Sequence, residues 1–260
     1  MPSAAGRCHC SLEHRHDRAL SQAVATFYRQ FVDHVAIVDT DYVSRLLSHT
    51  EHTVFEGAQG VLLDEWRGFH PYTTWSTTTF ANADQLLAEA GFSGEVTHLG
   101  LLRAYLTRHG AGPFVTEDPV LTKQVPDYHN TDGLWQGEFR VGHFDLVAAR
   151  YALEVAGVTD ALAVTCLDRL HEMPRPWQVC TGYRTGGRLI ERLSPGGFAD
   201  LDYQERLTNK LFAAAPVYEP VSGTAADYLS YLETHLGLPI TITSHGVRSI
   251  DKHTRTLIST

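Results

Sequence analysis

The segment between Trp66 and Phe80 is crowded with hydroxyl side chains that could bind a phosphate group. It has no helical periodicity, which favours a loop. Hydroxyl groups both donate and accept hydrogen bonds, so such a loop can surround phosphate oxygens. A solvated turn rich in β-branched residues fits the same composition. The hydroxyl residues are Thr73, Thr74, Ser76, Thr77, Thr78 and Thr79.

Two glycine-containing loops follow segments that read as strands. The short apolar run 53–55 leads into the polar loop 56–60, and the strand-like segment 99–105 leads into the glycine-rich turn 107–113. In open α/β sheets, loops at the carboxyl ends of strands present the groups that bind ligands. Both loops are therefore candidates for a binding site.

The N-terminal residues contain a cluster of potential metal ligands. Cys8, Cys10, His14 and His16 could bind zinc, since thiolates and imidazoles are its usual ligands. Their spacing is not that of a standard structural zinc site. We therefore favour a disordered start of the chain over a metal site.

Composition and charge restrict the possible classes of protein. The chain has 260 residues, of which 43% are hydrophobic and 20% charged, so it can form a globular core. The formal net charge of -9 makes binding to DNA or RNA an unfavourable hypothesis, although a local basic pocket for a small anion stays possible. No segment approaches the about 20 apolar residues of a membrane helix, and the start has no apolar signal segment. With only four cysteines, we expect a reduced, cytoplasmic protein that binds neither membranes nor nucleic acid.

Apolar residues at helical spacing, together with capping signals, predict five helices. The first begins after Asp17, and the last opens with a capping box at 224–227. Asn82 and Asp145 are the predicted N-caps of two of the others, and glycines follow three of the five. The remaining helices cover 41–47, 83–90 and 145–156.

Apolar runs predict the strands of a mostly parallel sheet. A helix at 145–156, Gly157 and the apolar run 161–165 follow one another, which is half of a βαβ unit. We expect a polar arm at 1–16 and a single α/β domain over 17–260 with helices flanking the sheet. The segment 117–139 reads as a long loop, which is usually functional. Further strand candidates are 179–183, 216–219 and 240–243.

Several motifs, in the same order, resemble the adenylosuccinate synthetase family over residues 53–250. They are Phe55-Glu56-Gly57-Ala58-Gln59-Gly60-Val61-Leu62-Leu63-Asp64, Pro71-Tyr72-Thr73-Thr74, Leu102-Arg103-Ala104-Tyr105, Thr107-Arg108-His109-Gly110-Ala111-Gly112-Pro113-Phe114 and Phe144-Asp145-Leu146-Val147-Ala148. The loop containing His129-Asn130 and 136–142 is similar to that of the shorter family members. The resemblance implies a P-loop-related α/β fold, here incomplete, and a ligase that joins aspartate to IMP with GTP and Mg2+. It also implies a homodimer.

The resemblance assigns candidate ligand contacts to individual residues. Gln59 would hold the purine of IMP, Leu63 would line the base pocket and Thr74 would contact the phosphate, while His109 and Gly110 would touch the ribose. Arg140, Asp168, Ser244 and Gly246 match GTP contacts of the family. A backbone-capping role for Gln59 and a surface role for Arg140 are the simpler alternatives.

Three departures from the family pattern bear on function. The arginine-rich aspartate loop is replaced by 134–140, and Cys166 stands where the family has a lysine beside guanine. Residues 1–260 contain no Gly-Asp-Glu-Gly-Lys-Gly loop, which in the family carries the catalytic base, the phosphate contacts and the magnesium ligand. Three hypotheses remain: a C-terminal portion of the ligase whose N-terminal half is missing, an inactive nucleotide-binding module, or a ligase of altered specificity.

Overall fold

A computed structural model describes residues 18–127, 130 and 136–255. The four candidate zinc ligands of the N-terminal arm lie outside the described residues. The described residues form two compact units: one contains 18–53 and 90–92, the other 54–89 and 93–255. The boundary drawn from the sequence, at residue 17, stays a prediction.

The first unit contains two helices, α1 (Arg18–Val32) and α2 (Tyr42–His49). Both were predicted from apolar spacing. α1 has no buried residue, and its apolar stripe is exposed, with Phe27 at 62% and Phe31 at 50%. The periodicity therefore identified the helix, while the described residues do not cover its apolar face.

The main sheet of the second unit is mostly parallel. Its strand order is β1 (Leu99–Arg103), β5 (Ala161–Thr165), β9 (Ile240–Ser244) and β10 (Lys252–Thr254), with β10 antiparallel. β1 is an edge strand, and its Leu101 is 70% exposed. The predicted α/β class with a mostly parallel sheet is confirmed.

The remaining strands form two smaller sheets. β2 (Leu106–His109) pairs antiparallel with β3 (Phe139–Gly142). The central strand of the other sheet is β6 (Trp177–Thr185), which pairs with β4, β7 and β8. These three strands are β4 (Phe144–Asp145), β7 (Arg188–Ile190) and β8 (Ala215–Val221).

Five helices pack in the second unit, and their ends follow the capping signals. Asp145 accepts a hydrogen bond from Ala148 N at the start of α5, and Thr224 forms the predicted capping box of α7 with Asp227. α5 lies between two apolar clusters, with Leu146 in one and Tyr151 in the other. The helices are α3 (Ala81–Glu89), α4 (Pro119–Gln124), α5 (Leu146–Ala156), α6 (Leu201–Phe212) and α7 (Ala225–Leu236).

Three local predictions were wrong. Residues 53–55 form no strand, because no described residue pairs with them, and Val54 is 89% exposed. Asn82 is not the cap of α3 but lies inside it, and its side chain donates to Thr77 O. The predicted loop 117–139 contains α4, because Asp118 caps its first turn by accepting hydrogen bonds from Val120 N and Leu121 N.

Candidate functional site

The loop from Gln59 to Thr78 is organised by one buried carboxylate, Asp64, which is 2% exposed. Its Oδ1 accepts hydrogen bonds from Trp66 N and Arg67 N, both at 2.9 Å, and its Oδ2 accepts one from Thr78 N at 2.8 Å. A buried carboxylate is stable only when its oxygens are satisfied, and here three backbone donors do so. Asp64 thus ties the start of the hydroxyl-rich segment to its end.

The same loop is fixed to the core by α5. Tyr151, 1% exposed, donates a hydrogen bond to Arg67 O at 2.7 Å, and its ring stacks on Phe69 with centroids 5.9 Å apart. Helix α5 is packed between both apolar clusters, so it is a rigid support. The loop is therefore held in a defined position.

Three predicted IMP contacts are brought together by this loop. Thr74 N donates to Leu63 O at 2.7 Å, and Ser76 Oγ donates to Gln59 Oε1 at 3.1 Å. Gln59 has φ of 66°, a left-handed conformation that is uncommon outside glycine and signals a constrained position. Its amide oxygen is engaged by Ser76, which leaves the amide nitrogen as the group able to meet a ligand.

The glycine-rich turn after β2 is held by Arg140 of β3. The Arg140 guanidinium donates to Gly110 O at 2.6 Å and Gly112 O at 3.0 Å, and pairs with Glu117 at 2.6 Å. Arg140 is thus brought to Gly110, and three hydrogen bonds within the protein engage its two terminal nitrogens. A direct contact of Arg140 with GTP stays a prediction.

His109, the last residue of β2, has a buried ring nitrogen. Its Nε2 has no hydrogen-bond partner among the described residues, and its ring packs edge-on against Phe139 at 5.7 Å. A buried polar atom of this kind usually has a partner, so a ligand or a water is the expected one. The ribose contact of His109 remains a prediction.

Arg108 joins the two loops, and the sequence did not single it out. The residue is 7% exposed; its Nε donates to Ala111 O at 3.0 Å and its Nη2 to Tyr72 O at 2.9 Å. Burial, with a smaller effect from the neighbouring Arg140, lowers the pKa of Arg108 to about 10. The only available signal was its position within the glycine-rich segment 107–113, which does not distinguish a buried arginine from an exposed one.

The third set of predicted contacts lies at the carboxyl ends of β5 and β9. Asp168 follows β5 in a 3-10 helix (Leu167–Glu172), and Gly246 follows β9, where Ser244 Oγ donates to Gly246 O at 3.2 Å. β5 and β9 are parallel neighbours, so these residues leave the same edge of the sheet. Asp168, Ser244 and Gly246 share no recorded hydrogen bond with the other two sets among the described residues.

Two of the three sets follow strands of the main sheet at its carboxyl edge, whereas the loop of Gln59, Leu63 and Thr74 follows no strand. Arg103 at the end of β1 lies opposite Thr165 at the end of β5 in the ladder. β1 leads into β2, whose last residue is His109, and the 3-10 helix carrying Asp168 follows β5. This is the edge at which open α/β sheets bind ligands.

The described residues do not form a magnesium site. Within the described ranges, no group of three His, Cys, Asp or Glu side chains converges closely enough to hold a metal. The described part of the chain therefore does not supply a metal cage.

Replacing Gly68 with alanine should damage this loop. An alanine Cβ would lie 2.5 Å from Asp64 O and 2.7 Å from Leu62 O, which are backbone atoms that cannot move aside alone. We expect the free energy of unfolding to fall by about 2 kcal/mol, as for other overpacked sites. Equilibrium urea unfolding measures it. Gly57→Ala is the matched control, because no atom lies within 4 Å of its new Cβ; equal losses in both variants would contradict the steric argument.

The fold and this site together define an α/β protein in which two of the three sets of candidate ligand groups follow strands at the carboxyl edge of a mostly parallel sheet. A model of the adenylosuccinate synthetase family matches residues 8–252. The chain belongs to the adenylosuccinate synthetase family. None of the helices in the described ranges has the length and apolar character needed to cross a bilayer.

Curated relatives agree with this assignment. The adenylosuccinate synthetase of Bdellovibrio bacteriovorus is 33% identical over 225 residues, covering 79% of this chain and 48% of the relative. That of Vibrio cholerae is 33% identical over 244 residues, covering 84% and 52%. The chain thus spans about half the length of the curated relatives it matches.

The structural neighbours support the fold. The fully ligated adenylosuccinate synthetase of Plasmodium falciparum superimposes with a TM-score of 0.70 at 22% identity, covering 94% of this chain and 60% of that one. The succinoaminodeoxyadenylate synthetase of cyanophage S-2L, bound to dGMP and to dATP as an energy donor, gives a TM-score of 0.50 at 18% identity, covering 85% and 51%.

Proposed function

We propose that this chain is the C-terminal portion of a ligase that joins L-aspartate to IMP with GTP to form adenylosuccinate. One observation carries the proposal: within a chain of this family, Arg108 links the loop of Gln59, Leu63 and Thr74 to the turn of His109 and Gly110. The five matched positions thus belong to two loops that a buried arginine connects, which supports a shared role.

Each matched residue has a chemistry suited to its proposed role. The free amide nitrogen of Gln59 donates to a purine edge, and the Thr74 hydroxyl donates to the phosphate. The Asp168 carboxylate accepts from the guanine N1 and N2 donors, with Ser244 and Gly246 beside it. Phosphoryl transfer of this kind depends mostly on positioning and charge stabilisation, which is what such groups supply.

A second polypeptide portion would supply the rest of the active site. The proposed catalytic base, the phosphate loop and the magnesium ligand have no counterpart in the matched motifs. The open edge of β1, with its exposed Leu101, offers a position at which a strand of that portion could pair. We further infer a homodimer in the cytoplasm; the free thiols of Cys166 and Cys180 suit a reducing compartment.

Complementation tests this proposal. The purified chain should form no adenylosuccinate from IMP, GTP and aspartate, whereas adding the N-terminal half of the Bdellovibrio bacteriovorus relative should produce measurable turnover. Gln59→Asn serves as the matched variant, since asparagine tolerates the left-handed φ but withdraws the amide by one carbon; it should lower turnover in the mixture. Product formed by the chain alone would contradict the need for a second portion.

An inactive purine-nucleotide-binding module is the second candidate. The observation that favours it is Arg140, whose two terminal nitrogens are engaged by Glu117 and two carbonyl oxygens within the protein. IMP binding by the chain, with no turnover even in the complemented mixture, would support this candidate over the ligase. A mixture that neither binds IMP nor forms product would contradict both.

A further inference from the structure

Trp75 is an unusually exposed tryptophan beside the candidate nucleotide site. Its relative exposure is 97%, whereas Trp177 in the core is 2% exposed. A tryptophan side chain normally buries most of its large apolar surface. The exposed indole of Trp75 therefore indicates a surface that another molecule covers when the protein functions.

The backbone on both sides of Trp75 is fixed. Thr74 N donates to Leu63 O at 2.7 Å, and Ser76 O accepts from Glu65 N at 3.3 Å. The Ser76 hydroxyl in turn holds the Gln59 side chain. The indole thus extends from a fixed backbone position. Thr74, which is matched to the phosphate contact, precedes it, and Ser76, which holds the proposed purine-binding amide of Gln59, follows it.

The surroundings of Trp75 suit a nucleotide better than a protein surface. Over residues 59–80, all of them described, Trp75 is the only large apolar side chain that is mostly exposed. Its neighbours in sequence are hydroxyl residues. A protein interface needs a contiguous apolar centre, whereas a single aromatic ring among hydrogen-bonding groups matches the mixed character of a purine nucleotide.

We propose that the indole of Trp75 packs against the purine ring of the nucleotide bound by Gln59 and Thr74. The inference rests on the proposed IMP site and deepens it by naming an affinity determinant. Purines offer a π face to any aromatic ring, so the contact would favour nucleotides over sugar phosphates without reading the base edge.

Calorimetric titrations with two probes test the assignment. IMP carries the purine ring, and ribose 5-phosphate carries only the sugar and phosphate. Trp75→Ala should weaken IMP binding about tenfold, the range found when a stacking aromatic is removed, and leave ribose 5-phosphate binding unchanged. Trp75→Phe should keep most of the IMP affinity. Quenching of indole fluorescence by IMP should disappear in Trp75→Phe.

The control variant is Trp66→Phe, because the Trp66 ring packs against Phe198, at 5.9 Å between centroids, and the hydrogen bond from Trp66 to Asp64 uses only the backbone N–H. It should bind IMP as the parent does. Unchanged IMP affinity in Trp75→Ala, or an equal loss for both probes, would overturn the role of the indole while leaving the IMP site intact. Failure of the parent chain to bind IMP would instead overturn the proposed site itself, and the Trp75 contact with it.

Discussion

Asp64→Ala is expected to lower the free energy of unfolding by about 3 kcal/mol, because three part-buried backbone N–H groups lose their acceptor together. The loss is larger than for a single surface hydrogen bond, since each stranded donor also keeps its desolvation penalty. The two ends of the loop carrying Gln59 and Thr74 would no longer be held together, so IMP binding should be lost as well. Urea unfolding and IMP titration of the same preparation measure both effects.

Asp64→Asn provides a graded control. The side-chain oxygen of asparagine can still accept hydrogen bonds from Trp66 N and Arg67 N. Its NH2 group faces the Thr78 N–H, so two donors meet there and that hydrogen bond is lost. We therefore expect the free energy of unfolding to fall by about 1 kcal/mol. Only the Thr78 end of the loop should detach. Wild-type stability in Asp64→Ala would refute the organising role of this carboxylate.

The features that the sequence predicted are those determined by neighbouring residues. Asp145 at the start of α5, the capping box of Thr224 and Asp227, and Gly157 after α5 each act within one helical turn. The run 161–164 is apolar at every position, and these four residues of β5 are correspondingly buried. Local chemistry and burial point to the same structure at these positions.

The features that escaped prediction depend on distant partners. β2 pairs with β3 about thirty residues further on, so nothing within 106–109 reveals the strand. The apolar run 53–55 lacks a partner and stays outside any sheet. Asp118 and Pro119 did carry an N-terminal helix signal, but the surrounding prolines and glycines outweighed it. In the site, Asp64 and Arg108 have their roles through burial, which the sequence does not display.

Asp145→Asn should change how the stability of the protein depends on pH. Burial is the dominant effect on Asp145, which is 3% exposed, and raises the pKa of its carboxyl group to about 6 despite hydrogen bonds from Tyr183 Oη at 2.6 Å and Ala148 N. Burial also raises the pKa of Cys180 to about 12 and that of Tyr183 well above its usual value. These two neighbours therefore stay neutral while Asp145 titrates.

The sign follows from the raised pKa. An unfolded aspartate titrates near pH 4, so between about pH 4 and 6 the folded chain binds more protons than the unfolded chain. The contribution of Asp145 to the free energy of unfolding is fully present below that window and falls as the pH rises through it, by up to about 3 kcal/mol. Asparagine keeps an acceptor for Ala148 N but carries no charge, so the variant should lack this fall.

The measurement is the stability difference between Asp145→Asn and the parent at pH 4, 6 and 8. The free energy of unfolding of the variant relative to that of the parent should increase as the pH rises and stay constant above pH 7. Asp200→Asn is the matched control, because Asp200 caps α6 from an exposed position by accepting from Tyr203 N; the same chemical change there removes a capping charge without a buried site. A pH-independent difference for Asp145→Asn would mean that hydrogen bonding balances burial, so that the carboxyl group has the same pKa in the folded and the unfolded chain.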